Sequence, residues 1–206
     1  MGGTDLTKDL TIADLRISID NIDASFLRLL AERMRVVRKI IQIKKTAQVD
    51  LGQSQERRQD ITELVEMSVQ LELKKAFFER ILDLIFLDAI GSYGQESDEQ
   101  KDDMDEICTD LKLDDLRMNL KNLDKSLCIM LAERFRIVKR MGIYKHKIGV
   151  PPLDPTRWQL VLEDKINSAQ SLNLSASLVK DIYNAIHQLS LDIEGEIASA
   201  NRQSDH

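Results

Sequence analysis

The sequence predicts an all-α protein that is built from two similar halves. Leu, Ile, Glu, Asp, Lys and Arg dominate a composition that is 43% hydrophobic and 4% aromatic with three prolines, which is typical of helical proteins. Apolar residues in the longest patterned stretches recur at intervals of three and four, the spacing of one helix face. A long stretch that begins at Leu15 is also repeated from Leu116. A chain of 206 residues can bury a substantial core as one domain or as two small ones.

The repeat preserves charged residues as well as the apolar pattern. Leu-Ala-Glu-Arg at residues 30–33 recurs at 131–134, and Asp23 recurs as Asp124. Three pairs of basic residues are each separated by 101 residues: Arg16 and Arg117, Arg33 and Arg134, and Lys44 and Lys145. The sequence therefore contains an internal duplication of a long helix that carries cations at fixed positions.

The first half, residues 11–92, is predicted to contain three helices. A long amphipathic helix covers about 11–47, a shorter one follows a polar break at about 55–70, and a more apolar one covers about 74–90. At 1.5 Å per residue the first helix is roughly 50 Å long. The acidic segment assigned to residues 93–109 is expected to act as a flexible linker between the halves.

The second half, residues 110–200, repeats this plan. Its helices are predicted at about 110–147, 156–169 and 175–200, and residues 201–206 are expected to form a frayed tail. The loop after the long helix contains all three prolines, which cannot continue a helix. Neither half can cover the apolar stripe of its long helix alone. We therefore expect the two long helices to pair within the chain, as a pseudo-symmetric counterpart of a homodimer.

Charge and composition exclude several classes of ligand. A net charge of −6 and a pI near 5.2 argue against a general binder of nucleic acid or anionic membranes. The sequence has no signal-peptide or membrane-spanning run, no glycine-rich phosphate loop and no metal-spaced Cys/His cluster. We expect a soluble cytoplasmic protein with no cofactor and no metal. Cys108 and Cys128 are interpreted as structural, and His146, His187 and His206 as surface residues.

Arg33 and Arg134 each lie close to the apolar face of their helix. A buried guanidinium without a partner is costly, so each needs a carboxylate, either from the protein or from a ligand. Lys44 and Lys145 follow three turns later on nearly the same face. A single cation on a helix usually reaches water or pairs with an acidic residue. Three cations kept through a duplication, in a protein of net negative charge, favour a binding site for an anion.

Both halves resemble the all-helical, AroQ-class chorismate mutases. The resemblance rests on IDASFLRLLAER at 22–33 and LDKSLCIMLAER at 123–134, on the preceding Leu-Arg, on the following lysine and on the Asp-Pro-Thr-Arg of the second loop. In that family two intertwined three-helix units form two sites, and each site takes one arginine from the start of the partner's long helix. The resemblance implies a Claisen rearrangement of chorismate to prephenate in the shikimate pathway of aromatic amino acid biosynthesis, without a metal or cofactor.

The resemblance also implies a nearly complete site in the second half. Arg16 from the first half would complete a set formed by Arg134, Lys145, Asp154, Arg157, Ser190 and Glu194. The three arginines would hold the two carboxylates of the substrate, while Lys145 and Glu194 would stabilise charge on the ether oxygen. Trp158 replaces a family glutamate that contacts the ring hydroxyl, so its indole would donate a hydrogen bond or only pack.

The first half is expected to hold a degenerate site. Its cations Arg33, Lys44 and Arg57 remain, with Arg117 available from the second half. Ser54 replaces the loop aspartate and Arg58 a glutamate, while Ala89 and Tyr93 replace the serine and the glutamine or glutamate of the third helix. A role as scaffold is expected for this half.

The sequence leaves other functions open. Isochorismate pyruvate lyase and aminodeoxychorismate mutase have similar folds and act on relatives of chorismate. A non-catalytic protein that binds such acids, or a helical partner module, is a further alternative. The chain could also form a monomer or exchange its halves between two chains in a homodimer.

Overall fold

A computed structural model of the protein describes residues 11–46, 55–93, 113–151 and 155–204. These residues form six α-helices and contain no strand. Helix α1 spans Ile12–Thr46, α2 Gln55–Gln70, α3 Lys75–Tyr93, α4 Leu113–Lys147, α5 Pro155–Ser171 and α6 Ala176–Ser204. The predicted all-α class with two sets of three helices is therefore confirmed. One detail was wrong, because residues 201–204 continue α6 instead of fraying.

The two halves turn from their second to their third helix in the same way. Each second helix is followed by a residue with left-handed backbone, Glu72 (φ 64°) in the first half and Asn173 (φ 54°) in the second. The amide of Leu73 donates to the Ser68 carbonyl at 2.9 Å, and that of Leu174 donates to the Ala169 carbonyl at 3.0 Å. These hydrogen bonds satisfy carbonyls at the helix end, as in a Schellman motif. The duplication has kept this turn although its sequence differs.

Helices α1 and α4 form the centre of the fold and run antiparallel. Leu15, near the start of α1, packs on Ile137 and Met141 in the second half of α4. The larger apolar core lies around the middle of this pair and includes side chains from the other helices: Phe26, Leu30, Phe78, Ile81, Leu131, Val179 and Ile182. Burying this many large side chains provides most of the driving force for the pairing. The paired long helices expected from the sequence are thus present within one chain.

The third helix of the second half, α6, lies against both α4 and α5, and α3 lies against α6. This arrangement places one face of α6 beside the cations of α4. Cys128 of α4 is fully buried, and burial raises the pKa of its thiol to about 11, so the thiol stays protonated. Cys108 lies outside the described residues. None of the helices described has the length and hydropathy that a membrane span requires.

Candidate active site

Arg134 is the central cation of the candidate site in the second half. Its Nε donates to Asp23 Oδ1 on α1 at 2.8 Å, and its Nη1 donates to Ser190 Oγ on α6 at 3.3 Å. The side chains of Arg134 and Asp23 are only 9% and 1% exposed. The carboxylate that the buried guanidinium needs thus comes from the long helix of the other half. The sequence showed that Asp23 recurs but assigned it no role.

Asp23 is held by a residue of α6 that the sequence did not single out. The Tyr183 hydroxyl donates to the Asp23 carbonyl at 3.4 Å, and both side chains are almost completely buried. Burial, and then the Asp23 charge, raise the pKa of Tyr183 well above its ordinary value, so the phenol remains a neutral donor. In the part of the chain that the structure describes, Asp23 Oδ2 is a buried oxygen without a hydrogen-bond donor.

The first half contains the reciprocal ion pair. Arg33 Nε donates to Asp124 Oδ1 at 2.6 Å, and Nη2 lies 3.5 Å from Asp124 Oδ2. Ala89 of α3 takes the position that Ser190 has in the second half, and it is part of the apolar core. The hydroxyl that Arg134 reaches in the second half therefore has no counterpart at the equivalent position of the first half.

Lys145 and Glu194 form a second buried ion pair close to Arg134. Lys145 Nζ lies 2.8 Å from Glu194 Oε2 and 3.1 Å from Oε1, and the two side chains are 10% and 7% exposed. Ser190 is one helical turn before Glu194 on the same face of α6. The structure therefore brings together four of the residues expected in this site, two from α4 and two from α6.

Gly142 allows α6 to approach α4 closely enough for this pair. A Cβ atom added at Gly142 would lie 2.9 Å from Ile197 Cδ1 and 3.2 Å from Glu194 Cγ. Both distances are shorter than ordinary carbon contacts, so a larger residue would force the side chains of Ile197 and Glu194 to shift from their positions beside Lys145. The equivalent position in the first half is Ile41, so only the second half has a glycine at this level of its long helix.

Gly142→Ala is expected to lower the free energy of unfolding by up to about 2 kcal/mol, because overpacking against Glu194 and Ile197 costs about 1–3 kcal/mol and alanine recovers up to about 1 kcal/mol of helix propensity. Gly195→Ala is the matched control, since nothing lies within 4 Å of its added Cβ. In α6 that change should instead stabilise the helix by up to about 1 kcal/mol. Urea unfolding measures both effects. Equal stability of the two variants would show that the α4–α6 approach does not depend on Gly142.

Trp158 and His187 form a stack between α5 and α6. Their rings are parallel within 4°, with centroids 3.9 Å apart, and both side chains are half-buried. The expectation that His187 is a surface residue was therefore wrong. Burial, and then the charge of Arg134, lower the pKa of His187, which favours a neutral imidazole. The stack lies one turn from Ser190 and forms a wall near Arg134. Of the other two histidines, His146 is exposed and His206 lies outside the described residues.

The remaining arginines expected in this site come from two other helices. Arg157 is half-buried in the first turn of α5. Arg16 is half-buried near the start of α1, and its neighbour Leu15 packs on α4, which brings this end of α1 alongside the second half of α4. Within the described residues Arg16 forms no ion pair. Asp154 lies outside them.

The positions expected in the degenerate site are only partly described. Lys44 is half-buried on α1, and Arg117 Nη1 lies 3.1 Å from Asp114 Oδ1. The side chains of Arg57, Arg58 and Tyr93, and all of Ser54, lie outside what the structure describes. Where the chain is described, there is also no group of three or more His, Cys, Asp or Glu that could hold a metal ion.

Comparisons with known proteins match both halves to one family. The family model for chorismate mutase type II matches residues 15–91 and again residues 116–195, in agreement with a tandem duplication. The T-protein of Haemophilus influenzae is 29% identical over 93 residues, which are 45% of this chain and 25% of that protein. The chain therefore spans about a quarter of the length of this relative. No solved structure gives a significant match.

Proposed function

Because the chain belongs to the chorismate mutase type II family, we propose that it catalyses the Claisen rearrangement of chorismate to prephenate, in aromatic amino acid biosynthesis. The catalytic site is the one in the second half, completed by Arg16 of the first half. The observation that carries the proposal is the buried group of Arg134, Lys145, Ser190 and Glu194 on facing sides of α4 and α6. This group places the cations Arg134 and Lys145 beside the polar side chains of Ser190 and Glu194. The start of α1 supplies a third cation, Arg16.

The rearrangement is an intramolecular step, so catalysis depends on orientation and electrostatics. Asp23 engages Nε of Arg134, which leaves the two terminal nitrogens to meet a substrate carboxylate. The hydrogen bond from Nη1 to Ser190 is long at 3.3 Å and can be exchanged for a stronger one to an anion. Arg157 and Arg16 hold the second carboxylate. Together these contacts favour the compact conformer from which the new C–C bond forms.

Lys145 and Glu194 act on the ether oxygen as its bond to carbon breaks. The ammonium of Lys145 has three donors, so it can contact the developing negative charge while it keeps Glu194 as a partner. An ionised carboxylate has no hydrogen to donate and would repel the same charge. Glu194 therefore assists only when it is protonated or when a water molecule bridges it to the oxygen.

Glu194→Gln is expected to keep or raise kcat/KM, because a glutamine amide donates a hydrogen bond to the ether oxygen, whereas a carboxylate paired with Lys145 has no hydrogen to donate. The measurement is steady-state kcat/KM for the formation of prephenate from chorismate. Glu196→Gln is the control, since Glu196 is an exposed residue of α6 that pairs with Lys74; its kcat/KM should equal that of the unmodified protein. A loss of about tenfold or more in Glu194→Gln would refute the assigned role.

The ring of the substrate is the part that the site defines least. Trp158, stacked on His187, stands where the family resemblance places a glutamate that contacts the ring hydroxyl. This difference favours a second candidate, a relative of chorismate with a different ring substituent. Assays of the purified protein with chorismate, isochorismate and aminodeoxychorismate separate the candidates. Prephenate formation from chorismate is expected, and turnover of only one of the other two acids would replace the proposal.

A further inference from the structure

The two long helices carry opposite charges at one equivalent position. Asp20 of α1 and Lys121 of α4 are 101 residues apart, the spacing of the repeat. Asp20 Oδ1 lies 3.7 Å from Lys165 Nζ on α5, whereas Lys121 Nζ lies 2.7 Å from Asp60 Oδ1 and 2.9 Å from Glu63 Oε2 on α2. In both contacts the long helix of one half meets the second helix of the other half. The polarity of the contact is reversed between the halves.

This reversal favours the pairing of a first half with a second half (an unlike pairing) over the pairing of two copies of the same half (a like pairing). If two first halves paired, Asp20 would take the place of Lys121 and face Asp60 and Glu63. Three carboxylates would then lie close together and repel one another. If two second halves paired, Lys121 would take the place of Asp20 and face Lys165. The Lys165 side chain is only 6% exposed, so solvent would screen a second ammonium there poorly, and the two ammoniums would share one carboxylate, that of Asp164 at 3.2 Å from Lys165 Nζ. Each like pairing therefore replaces an attractive contact by one that brings an additional charge of the same sign close.

Most other charged contacts between the halves are not reversed. The exception is the exposed pair of Lys74 and Glu196 at 2.7 Å, which has no charged counterpart, because Ser175 and Gln95 stand at the positions 101 residues away. Arg134 with Asp23 and Arg33 with Asp124 are the same residue types on both sides, so they fit any pairing. Farther along the long helices, Lys139 contacts Glu72 and Arg38 contacts the Asn173 carbonyl, and each long helix contributes a cation. The buried pairs therefore fix how long helices meet, and the reversed pairs can determine which halves meet.

We propose that the reversed charges at Asp20 and Lys121 make each half a specific partner for the other half and a poor partner for a second copy of itself. Like-charge contacts are an effective way to exclude a competing partner of the same shape. The hydrogen bonds to Asp60 and then Glu63 also raise the pKa of Lys121, so its charge is retained at alkaline pH. Unlike pairing is the arrangement that brings Arg16 to the half that contains Arg134. The inference concerns pairing and does not depend on the proposed catalytic activity.

The test exchanges the two residues in the full chain, as Asp20→Lys with Lys121→Asp. The exchange keeps composition and net charge, and it reproduces both like-half contacts inside one molecule. The control is the corresponding exchange of two residues that make no described contact between the halves, Asp83→Lys with Lys125→Asp. Circular dichroism measures the midpoint of thermal unfolding and shows that the variants are helical before heating.

The exchange should lower the midpoint by about 4 °C or more, the scale expected for two repulsive charge contacts in a chain of this size, and the control should shift it by at most about 1 °C. Lys121→Asp alone should give part of the loss, and adding Asp60→Lys and Glu63→Lys should restore the midpoint. An exchange variant that unfolds with the control, or a failure of this restoration, would overturn the proposal. Neither result bears on turnover, so the proposed function is tested separately.

Discussion

Replacing Arg134 by alanine is expected to lower kcat/KM by about 10²–10³-fold, because the site then lacks its central donor for a substrate carboxylate. The same replacement also leaves Asp23 buried without its cation, so part of any loss could reflect a less stable protein. Arg134→Lys reduces this problem, since an ammonium still neutralises Asp23. It lacks the planar set of donors that lets a guanidinium contact Asp23 and a second carboxylate together, so turnover should still fall by at least about tenfold.

The duplication provides a matched control in Arg33. Arg33 is on the equivalent turn of α1, is similarly buried and forms the same kind of ion pair with Asp124. Arg33→Lys should therefore have a comparable effect on stability and leave kcat/KM within about twofold, because its half is the degenerate one. Steady-state assays combined with urea unfolding separate the two effects. Equal losses of activity at both positions would place catalysis in both halves, and no loss at Arg134 would favour a non-catalytic binding protein or partner module.

Removing the carboxylate of Asp23 is expected to give the largest loss of stability, about 3–5 kcal/mol for Asp23→Ala, because it leaves the Arg134 guanidinium buried and uncompensated. Asp124→Ala is the equivalent change in the other half. The Asp124 side chain is 16% exposed and that of Asp23 1%, so water can solvate Arg33 more easily and the loss should be smaller. The free energy of unfolding in urea measures both.

A double variant identifies the origin of that loss. Asp23→Leu with Arg134→Met removes both charges and keeps similar volume, which in buried ion pairs often costs nothing or stabilises the fold. The double variant should therefore be more stable than Asp23→Leu alone while being inactive. If it were less stable than the single variant, the contribution of Asp23 would come from the packing of its side chain, not from neutralising Arg134.

The helices were predictable because their signals are local. The apolar spacing of α1 and α4 gave their extents to within a few residues, and the prolines marked the end of α4. The duplication identified the cations on each long helix that matter for an anion site. At Asp23 the sequence also carries a usable signal for a tertiary contact. An aspartate ten residues before an arginine on one helix cannot contact it, yet both residues recur in the second copy, which indicates a contact between the copies.

Other features had no signal in the sequence. Nothing in the sequence around His187 indicates that its side chain is partly buried. Only the packing of α5 on α6 places His187 against Trp158. Gly142 lies within a helical pattern, where glycine usually only lowers helix propensity. Its importance comes from Ile197 and Glu194, which approach from α6.

The sequence by itself determined the all-α class, the duplication, the approximate helix ends and the family, because these are recorded in the identity and spacing of residues along one chain. The tertiary structure alone decided which carboxylate pairs with which cation. Arg134 could have met a carboxylate of the protein or of a ligand, and the antiparallel register of α1 and α4 places Asp23 there. It likewise brings Asp20 to Lys165 and Lys121 to Asp60 and Glu63. Such pairs join residues far apart in the chain, so they depend on how helices pack and not on local periodicity.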